Sequence, residues 1–578
     1  MLVGAIEFSS RGSARRVAEG LAREAARFPR ERFRHLYSEQ SISLFVVERP
    51  EDKPRTKSWH RGQNTCWLIG DSNYADDVIV DGSGNDASGP AETFSTRCVA
   101  GRSILVEVDS NATAVRLTTD RLGLMWLYIA RTSGGFLIST DFAALARELK
   151  SKLSVDIDTV LLELACGYSP DDRTVFNEIR LAPPGQTIEL TASGLKVVSE
   201  AAIVYGDRYA GLSLRKKFEK LDDIYSEIVD RSFRHQQSRL VLSISAGYDS
   251  RYALAFLEKN AMRLPLCTFG DPDSDEARGA SAVVAKAGQA TDLFPVPKVD
   301  WQQWQRCIQS LGNAGMTQWS GWAESWLTFL RQHGASVIIG YLGDALSGKH
   351  LGRQQMEPPD WVGFWLRWST DESWAGKQIL NKMAQSSLNE AMIERFGASL
   401  KKVNFVYPYQ QALHLDLYGR RRRWVASQPQ LISRFLTPEL FFYDNSLIDF
   451  WTNLAPQDLM HQNLYLSYAR DRFPRLFPKN EGKSPTLTTR AVHKVVRMLR
   501  GTDGRRRPPV IDHGSIITPN KQEILVLAER VGPLLASVLD MERFSEGVRN
   551  YGQHSESLPS DLIMRAVNVM FLLDLSLE

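Results

Sequence analysis

Residues Leu240–Arg251 read LVLSISAGYDSR, and this stretch decides how the second half of the chain folds. Leu240–Ile244 is apolar enough, and short enough, for a buried strand. Small residues follow in Ser245-Ala246-Gly247-Tyr248-Asp249-Ser250, and a helical pattern runs over Arg251–Glu258. A strand that passes through a small-residue turn into a helix aims backbone N–H groups and a helix N-terminus at one point. That point is an anion site. Gly247 lets the backbone approach a phosphate closely, and Ser245 and Ser250 add hydroxyl donors. Asp249 on its own would repel a phosphate; it fits if Mg²⁺ bridges carboxylate and phosphate. The hexapeptide alone serves equally well as a plain strand–turn–helix corner.

Working outward, short apolar strands recur at Pro265–Phe269, Thr291–Val296 and Ser336–Ile339, with helical stretches between them. Strand–helix alternation predicts a parallel α/β sheet. Beyond Leu351 the pattern turns mostly helical and rich in aromatics. Before residue 205 the pattern is different. Ser103–Val108, Ala114–Thr119, Leu127–Arg131, Gly135–Thr140 and Gln186–Leu190 are short runs separated by polar breaks, which predicts an antiparallel meander. Helical patterns stand at Phe142–Leu149 and Ile157–Cys166. The chain therefore divides into 1–205 and 212–578. The polar stretches Glu51–Asn64 and Asp81–Ala91 read as loops. The basic clusters Arg420–Arg423 and Arg500–Pro509 read as solvated surface.

A second phosphate-binding pattern competes. Gly343–His350, GDALSGKH, has the G-x-x-x-x-G-K spacing of a P-loop. The position that should carry a Mg²⁺-binding hydroxyl is His350, which argues against that assignment.

In this order the segments resemble the asparagine synthetase superfamily over most of the chain. Ser245–Ser250 is similar to the family's S-x-G-x-D-S pyrophosphatase loop. Gly340-Tyr341-Leu342-Gly343-Asp344 is similar to its later G-x-G-x-D segment. Phe441-Phe442-Tyr443-Asp444 resembles P-F-L-D. Asp120-Arg121-Leu122-Gly123 with Leu127-Tyr128, and Thr174–Gly185, resemble segments of its class II glutamine amidotransferase domain. The resemblance implies an Ntn-type amidotransferase sandwich, here degenerate, over 1–205. It implies an α/β ATP-pyrophosphatase (synthetase) domain with a helical C-terminal part over 212–578. ATP and Mg²⁺ are the implied cofactors. ATP would meet Leu242, Ser245, Gly247, Asp249, Ser250, Phe269 and Gly343, and the metal would lie on Asp249 and Asp344. A lysine, Lys479 or Lys483, would stabilise developing negative charge.

Four departures qualify this. An active glutaminase of the class uses an N-terminal cysteine as nucleophile, whereas residue 2 is Leu2. Ala246 and Ala345 stand where the family commonly has glycine and glutamate. Tyr341 replaces the glutamate usual in asparagine synthetases. The β-lactam synthetase branch uses a tyrosine with a carboxylate as base, so Tyr341 is a candidate base with Asp371 or Glu372 as partner, or a plain pocket wall. The expected function is an ATP-dependent ligase that adenylates a carboxylate, releases pyrophosphate and passes the acyl group to an amine, without hydrolysing glutamine. It resembles the β-lactam synthetase and lasso-peptide cyclase branch. The acceptor would be a small molecule or a peptide. The alternatives are an ammonia-using asparagine synthetase and a non-catalytic scaffold.

Composition sets the outer bounds. Lys and Arg number 70 against 67 Asp and Glu, net +3, which gives no reason to expect a nucleic acid or anionic membrane as partner. No run approaches a membrane span. Five scattered cysteines without C-x-x-C spacing read as reduced thiols. The expected location is the cytoplasm.

Overall fold

A computed structural model of the chain describes residues 1–7, 13–26, 32–39, 42–48, 56–70, 101–200, 203–315, 320–351, 380, 382–479, 513–552 and 558–578. The first twelve strands are β1 Leu2–Glu7, β2 Arg32–Glu39, β3 Ile42–Glu48, β4 Thr56–Arg61, β5 Asn64–Gly70, β6 Ser103–Val108, β7 Ala114–Thr119, β8 Tyr128–Arg131, β9 Gly135–Ser139, β10 Ile179–Leu181, β11 Gln186–Thr191 and β12 Gly194–Glu200. They form two six-stranded antiparallel sheets, ordered β10-β8-β9-β1-β3-β2 and β12-β11-β7-β6-β5-β4. Alternation along each strand decides what each face meets. Leu2 and Ile6 of β1 point between the sheets with Leu44, Trp67, Ile104, Val106 and Leu117. Val3 and Ala5 point the other way, onto the helices Ser13–Ala25 and Phe142–Leu149. The helix over Ile157–Cys166 also forms as the sequence predicts. β4 corrects one expectation: part of Glu51–Asn64 is a strand, paired with β5 across a tight turn at Gly62.

The second architecture is a parallel sheet of β13 Leu240–Ser243, β14 Leu266–Phe269, β15 Asp292–Phe294, β16 Ser336–Ile339 and β17 Thr437–Leu440, in the order β15-β14-β13-β16-β17. Pairing is parallel throughout, with Leu242 opposite Leu266 on one side and Ile338 on the other. Four of these strands follow the apolar pattern of the sequence. The fifth, TPEL, carries a proline and a glutamate and lacks that pattern; it is tolerated because β17 is an edge strand. The chain turns one way from β13 through β14 to β15, then returns to the other side of β13 with β16. That reversal makes the carboxyl ends of β13 and β16 a topological switch point, where α/β sheets bind ligands.

A second expectation also fails. Arg421, Arg422 and Arg423 are buried, not solvated. They sit on a π-helix, Leu415–Val425, that lies between the sandwich and the parallel sheet. Arg422 Nη2 donates to the carbonyl of Ala182 at 2.7 Å, and Arg423 donates to the carbonyls of Ser169 and Arg173, both at 3.1 Å. The cluster at Arg500–Pro509 and the stretch Asp81–Ala91 lie outside the described residues.

The two amidotransferase-like segments meet at this same boundary. The Gly185 N–H donates to the Asp120 carbonyl (2.9 Å), and Thr119 Oγ1 donates to Pro183 O (2.7 Å). The buried Asp120 carboxylate accepts N–H bonds from Ser103, Leu124 and Met125 and an O–H bond from Tyr443. Asp120 thus ties the sandwich to the Phe441–Asp444 segment. Gly123 is required there: its φ is +58°, and a Cβ would lie 3.0 Å from both Pro184 Cα and Arg422 Nε. Among the described residues, no helix is long and apolar enough to cross a membrane.

Candidate functional site

A cavity of about 610 Å³ opens at the switch point, lined by the loop after β13, the ends of β14 and β16, and the π-helix. The loop is tied to itself. The Ser245 N–H donates to Ser250 Oγ (3.0 Å), the two serine hydroxyls lie 2.9 Å apart, and the Gly247 N–H donates to Ser245 Oγ (3.1 Å). The Ala246 N–H is taken by Glu276 Oε1 at 2.9 Å. The helix Tyr248–Lys259 begins directly after, with Gly247 as an N-cap that offers no side-chain oxygen. Its first-turn N–H groups therefore have no capping side chain, the arrangement that attracts anions. Ala246 is accommodated because Gly279 faces it; a Cβ on Gly279 would come within 2.6 Å of Ala246 Cβ.

The segment after β16 presses on this loop. A Cβ at Gly340 would stand 2.7 Å from Asp249 Cβ, and one at Gly343 would stand 2.7 Å from Asp249 Cγ. Close approach of the Asp249–Ser250 backbone explains Gly340, and the Asp249 carboxylate with the Phe442 ring explains Gly343. Leu342 between them has φ +76°, a conformation that costs a branched residue free energy. The contact brings the two aspartates together: the Asp344 N–H donates to Asp249 Oδ2 at 2.9 Å. Asp249 Oδ1 accepts from the Tyr465 hydroxyl at 2.8 Å. Burial, and then the negative charge of Asp344, push the Asp249 carboxyl up to about 7. Burial would raise Asp344 too, but Arg421, Lys349 and His350 outweigh it and hold this carboxyl below its usual range.

Arg421 is the residue the sequence reading missed. Its Nη1 lies 3.0 Å from Asp344 Oδ1 and its Nη2 3.2 Å from Asp344 Oδ2, a two-pronged pair. Its Nη2 also lies 3.0 Å from His350 Nε2, and its Nε lies 3.4 Å from Asp416. Lys349 Nζ reaches Asp344 Oδ2 at 3.4 Å. Lys349 thus pairs with this carboxylate at the edge of the cavity. One signal in the sequence could have found Arg421. The arginine run sits in an apolar stretch, between Leu417-Tyr418 and Trp424-Val425, with few acids near it; a solvated helix face would be polar on both flanks.

Of the residues singled out from sequence, Ser245, Gly247, Asp249, Ser250, Phe269, Tyr341 and Asp344 line the cavity. Phe269 packs on Trp322 and Trp326, ring centres 5.1 and 5.2 Å away, and forms an aromatic wall. Gly343 stands behind Asp249. Leu242 is a correction: it is wholly buried within β13 and does not line the cavity. Tyr341 is another. Its hydroxyl is buried and donates to the Arg421 carbonyl at 2.8 Å. Burial pushes the phenol far above its usual range, which favours the pocket wall over the base. Lys479 is exposed and is not among the lining residues. Lys483, Asp371 and Glu372 lie outside the described residues.

At the start of the sandwich, Leu2 fills the space between the sheets and its N–H donates to Thr140 Oγ1 at 3.0 Å. β1 presents Leu2–Glu7, LVGAIE, with no thiol or hydroxyl side chain.

Comparison with known proteins bears on the sandwich. Residues 95–200 match the family model for the glutamine amidotransferase domain. The antiparallel part of the chain is accordingly amidotransferase-like. No curated protein matches the sequence. Two solved structures are similar at low level. One is glutamine phosphoribosylpyrophosphate amidotransferase from B. subtilis complexed with ADP and GMP: 10% identity, TM-score 0.24, 59% of this chain and 81% of that one. The other is the allosteric regulatory enzyme of purine biosynthesis: 11% identity, TM-score 0.25, 58% and 79%. Scores this low carry no argument beyond the match itself.

Proposed function

We propose that this protein is an ATP-dependent carbon–nitrogen ligase, similar to the asparagine synthetase superfamily, that works without hydrolysing glutamine. The observation that carries the reading is the convergence of the Ser245–Ser250 loop and the Asp249–Asp344 pair at the switch point of a parallel sheet, around a cavity of about 610 Å³. In this reading the first turn of the helix Tyr248–Lys259 and the hydroxyl of Ser245 hold the phosphates. The aromatic wall at Phe269 faces the base. A substrate carboxylate oxygen attacks the α-phosphorus and pyrophosphate leaves. An amine nitrogen then attacks the acyl carbon, loses a proton, and AMP leaves.

The donors bear unequally on magnesium. Asp249 lines the cavity and, among the described residues, is hydrogen-bonded only by neutral donors, so its charge is left for a cation. Asp344 already shares both oxygens with Arg421 and one with Lys349. Asp249 fits as a magnesium ligand; Asp344 does not. Bound there, magnesium would offset phosphate charge. Lys479 and Lys483 remain the candidate lysines for stabilising developing negative charge. The buried Leu2 and the lack of a nucleophile on β1 support the absence of glutaminase chemistry. The amine then comes from solution or from a bound substrate, a small molecule or a peptide.

The test is ATP–pyrophosphate exchange by the full chain against panels of amino acids and peptides. Exchange dependent on one acid class is expected; no exchange with any acid would remove the ligase reading. One observation favours a scaffold instead: the N–H groups of residues 245–247 are all taken by protein acceptors. A scaffold would also fail to bind ATP in calorimetry.

A further inference from the structure

We infer that Arg421, assisted by Lys349, supplies at the polyphosphate site the positive charge that a metal ion on Asp344 would otherwise bring, and that Asp344 is the residue that positions it. The inference rests on the ligase reading for the identity of the nucleotide, not for the anion site itself.

The geometry is that of a built cation. Arg421 is 5% exposed yet lines the cavity together with Lys349 and Asp344. Its guanidinium is held from three sides: Asp344 takes both terminal nitrogens, Asp416 takes Nε, and His350 Nε2 lies 3.0 Å from Nη2. Its main chain is held as well, since Tyr341 donates its hydroxyl to the Arg421 carbonyl. A side chain fixed at both ends loses little conformational freedom when a ligand arrives, and its delocalised charge stays on through the whole pH range. Charge bears on the metal. Asp344 already has two cations against it, Arg421 and Lys349, with Asp416 balancing Arg421 from the far side. A divalent ion on Asp344 would have to displace the fork and then sit beside two positive groups. Among the described residues Asp249 has no such cation of its own at hydrogen-bond distance, so a single metal position remains there.

The experiment uses the full chain and two probes, ATP and inorganic tripolyphosphate, measured by calorimetry in EDTA and in Mg²⁺. Mn²⁺ counting by electron paramagnetic resonance runs in parallel. Wild type is expected to bind tripolyphosphate in EDTA. Arg421→Gln should weaken it about tenfold or more in either buffer, the scale of one lost charge-assisted pair, and Arg421→Lys should recover part of the loss. Lys349→Gln, at a side chain that is 57% exposed, should show a smaller loss in the same direction. One Mn²⁺ per bound ATP is expected, and Asp344→Asn should leave that count at one while loosening the anion. Two Mn²⁺ in wild type falling to one in Asp344→Asn would overturn the inference, as would undiminished tripolyphosphate binding by both Arg421→Gln and Lys349→Gln. Tripolyphosphate bound through Arg421 with no ATP binding would spare the inference and remove the ligase reading. Binding of neither probe would remove both.

Discussion

Replacing Tyr341 by phenylalanine separates two roles that the sequence alone leaves open. The ring is 4% exposed, and phenylalanine fills the same space. What is lost is one O–H bond to the Arg421 carbonyl, 2.8 Å long. A buried acceptor left with no donor would cost ~1–3 kcal/mol. Here the Arg421 carbonyl also accepts the Ala426 N–H at 2.8 Å, so it is never orphaned. The expected cost is therefore near the net value of one neutral hydrogen bond, about 1 kcal/mol. Denaturant unfolding should show a lower midpoint with an unchanged slope. With an acid that the enzyme activates, pyrophosphate exchange and product formation should both stay within about threefold of wild type, because no proton is taken by a phenol whose own proton is held by burial. Unchanged stability, with exchange intact and product formation down roughly 10²-fold, would refute this reasoning and restore Tyr341 as a general base.

Asp249→Asn should weaken ATP binding about tenfold or more in Mg²⁺ and change it little in EDTA, as calorimetry would show; equal affinities in Mg²⁺ would count against Asp249 as metal ligand. Glutamine should yield no glutamate above a no-enzyme control, with or without ATP, and steady turnover would contradict the reading of Leu2. Glu163 tests pH linkage: burial raises its carboxyl from 4.5 to about 7, with the Ala314 N–H at 3.0 Å as partner. The folded state thus holds a proton that the unfolded chain has released. The stability is full below about pH 4.5 and falls by about 3 kcal/mol as pH rises to 7. In urea titrations from pH 4.5 to 8, Glu163→Gln should gain on wild type by that amount, and a pH-independent difference would show that Glu163 is ionised throughout.

The parts of the fold legible in the sequence are those set by short-range pattern. β13, β14 and β16 and the helices Phe142–Leu149 and Ile157–Cys166 fall where apolar runs and helical spacing put them. β17 was hidden because an edge strand tolerates Pro438 and Glu439. The site was half legible. Gly340 and Gly343 stand where the chain presses on Asp249, and glycine at a fixed spacing is a local signal. Arg421 was not, because its burial depends on a π-helix brought between two sheets by more than two hundred residues of intervening topology. The sequence leaves Tyr341 open between base and pocket wall for a related reason. Its hydroxyl partner is a main-chain carbonyl 80 residues away, and no side-chain pattern announces a carbonyl.

The buried arginines of that π-helix have a consequence for how this sequence can drift. Arg422 and Arg423 hold the sandwich through the carbonyls of Ala182, Ser169 and Arg173, and from the other side Arg102 Nη1 reaches back to the carbonyl of Pro429 at 3.0 Å. Every residue type offers a carbonyl, so the docking is blind to which side chain stands at positions 169, 173, 182 and 429. It is sensitive to chain length instead: one inserted or deleted residue shifts an extended carbonyl by about 3.3 Å, beyond hydrogen-bond reach. Lineages descended from this protein can therefore rewrite those segments letter by letter and keep the two layers joined, while the number of letters stays fixed.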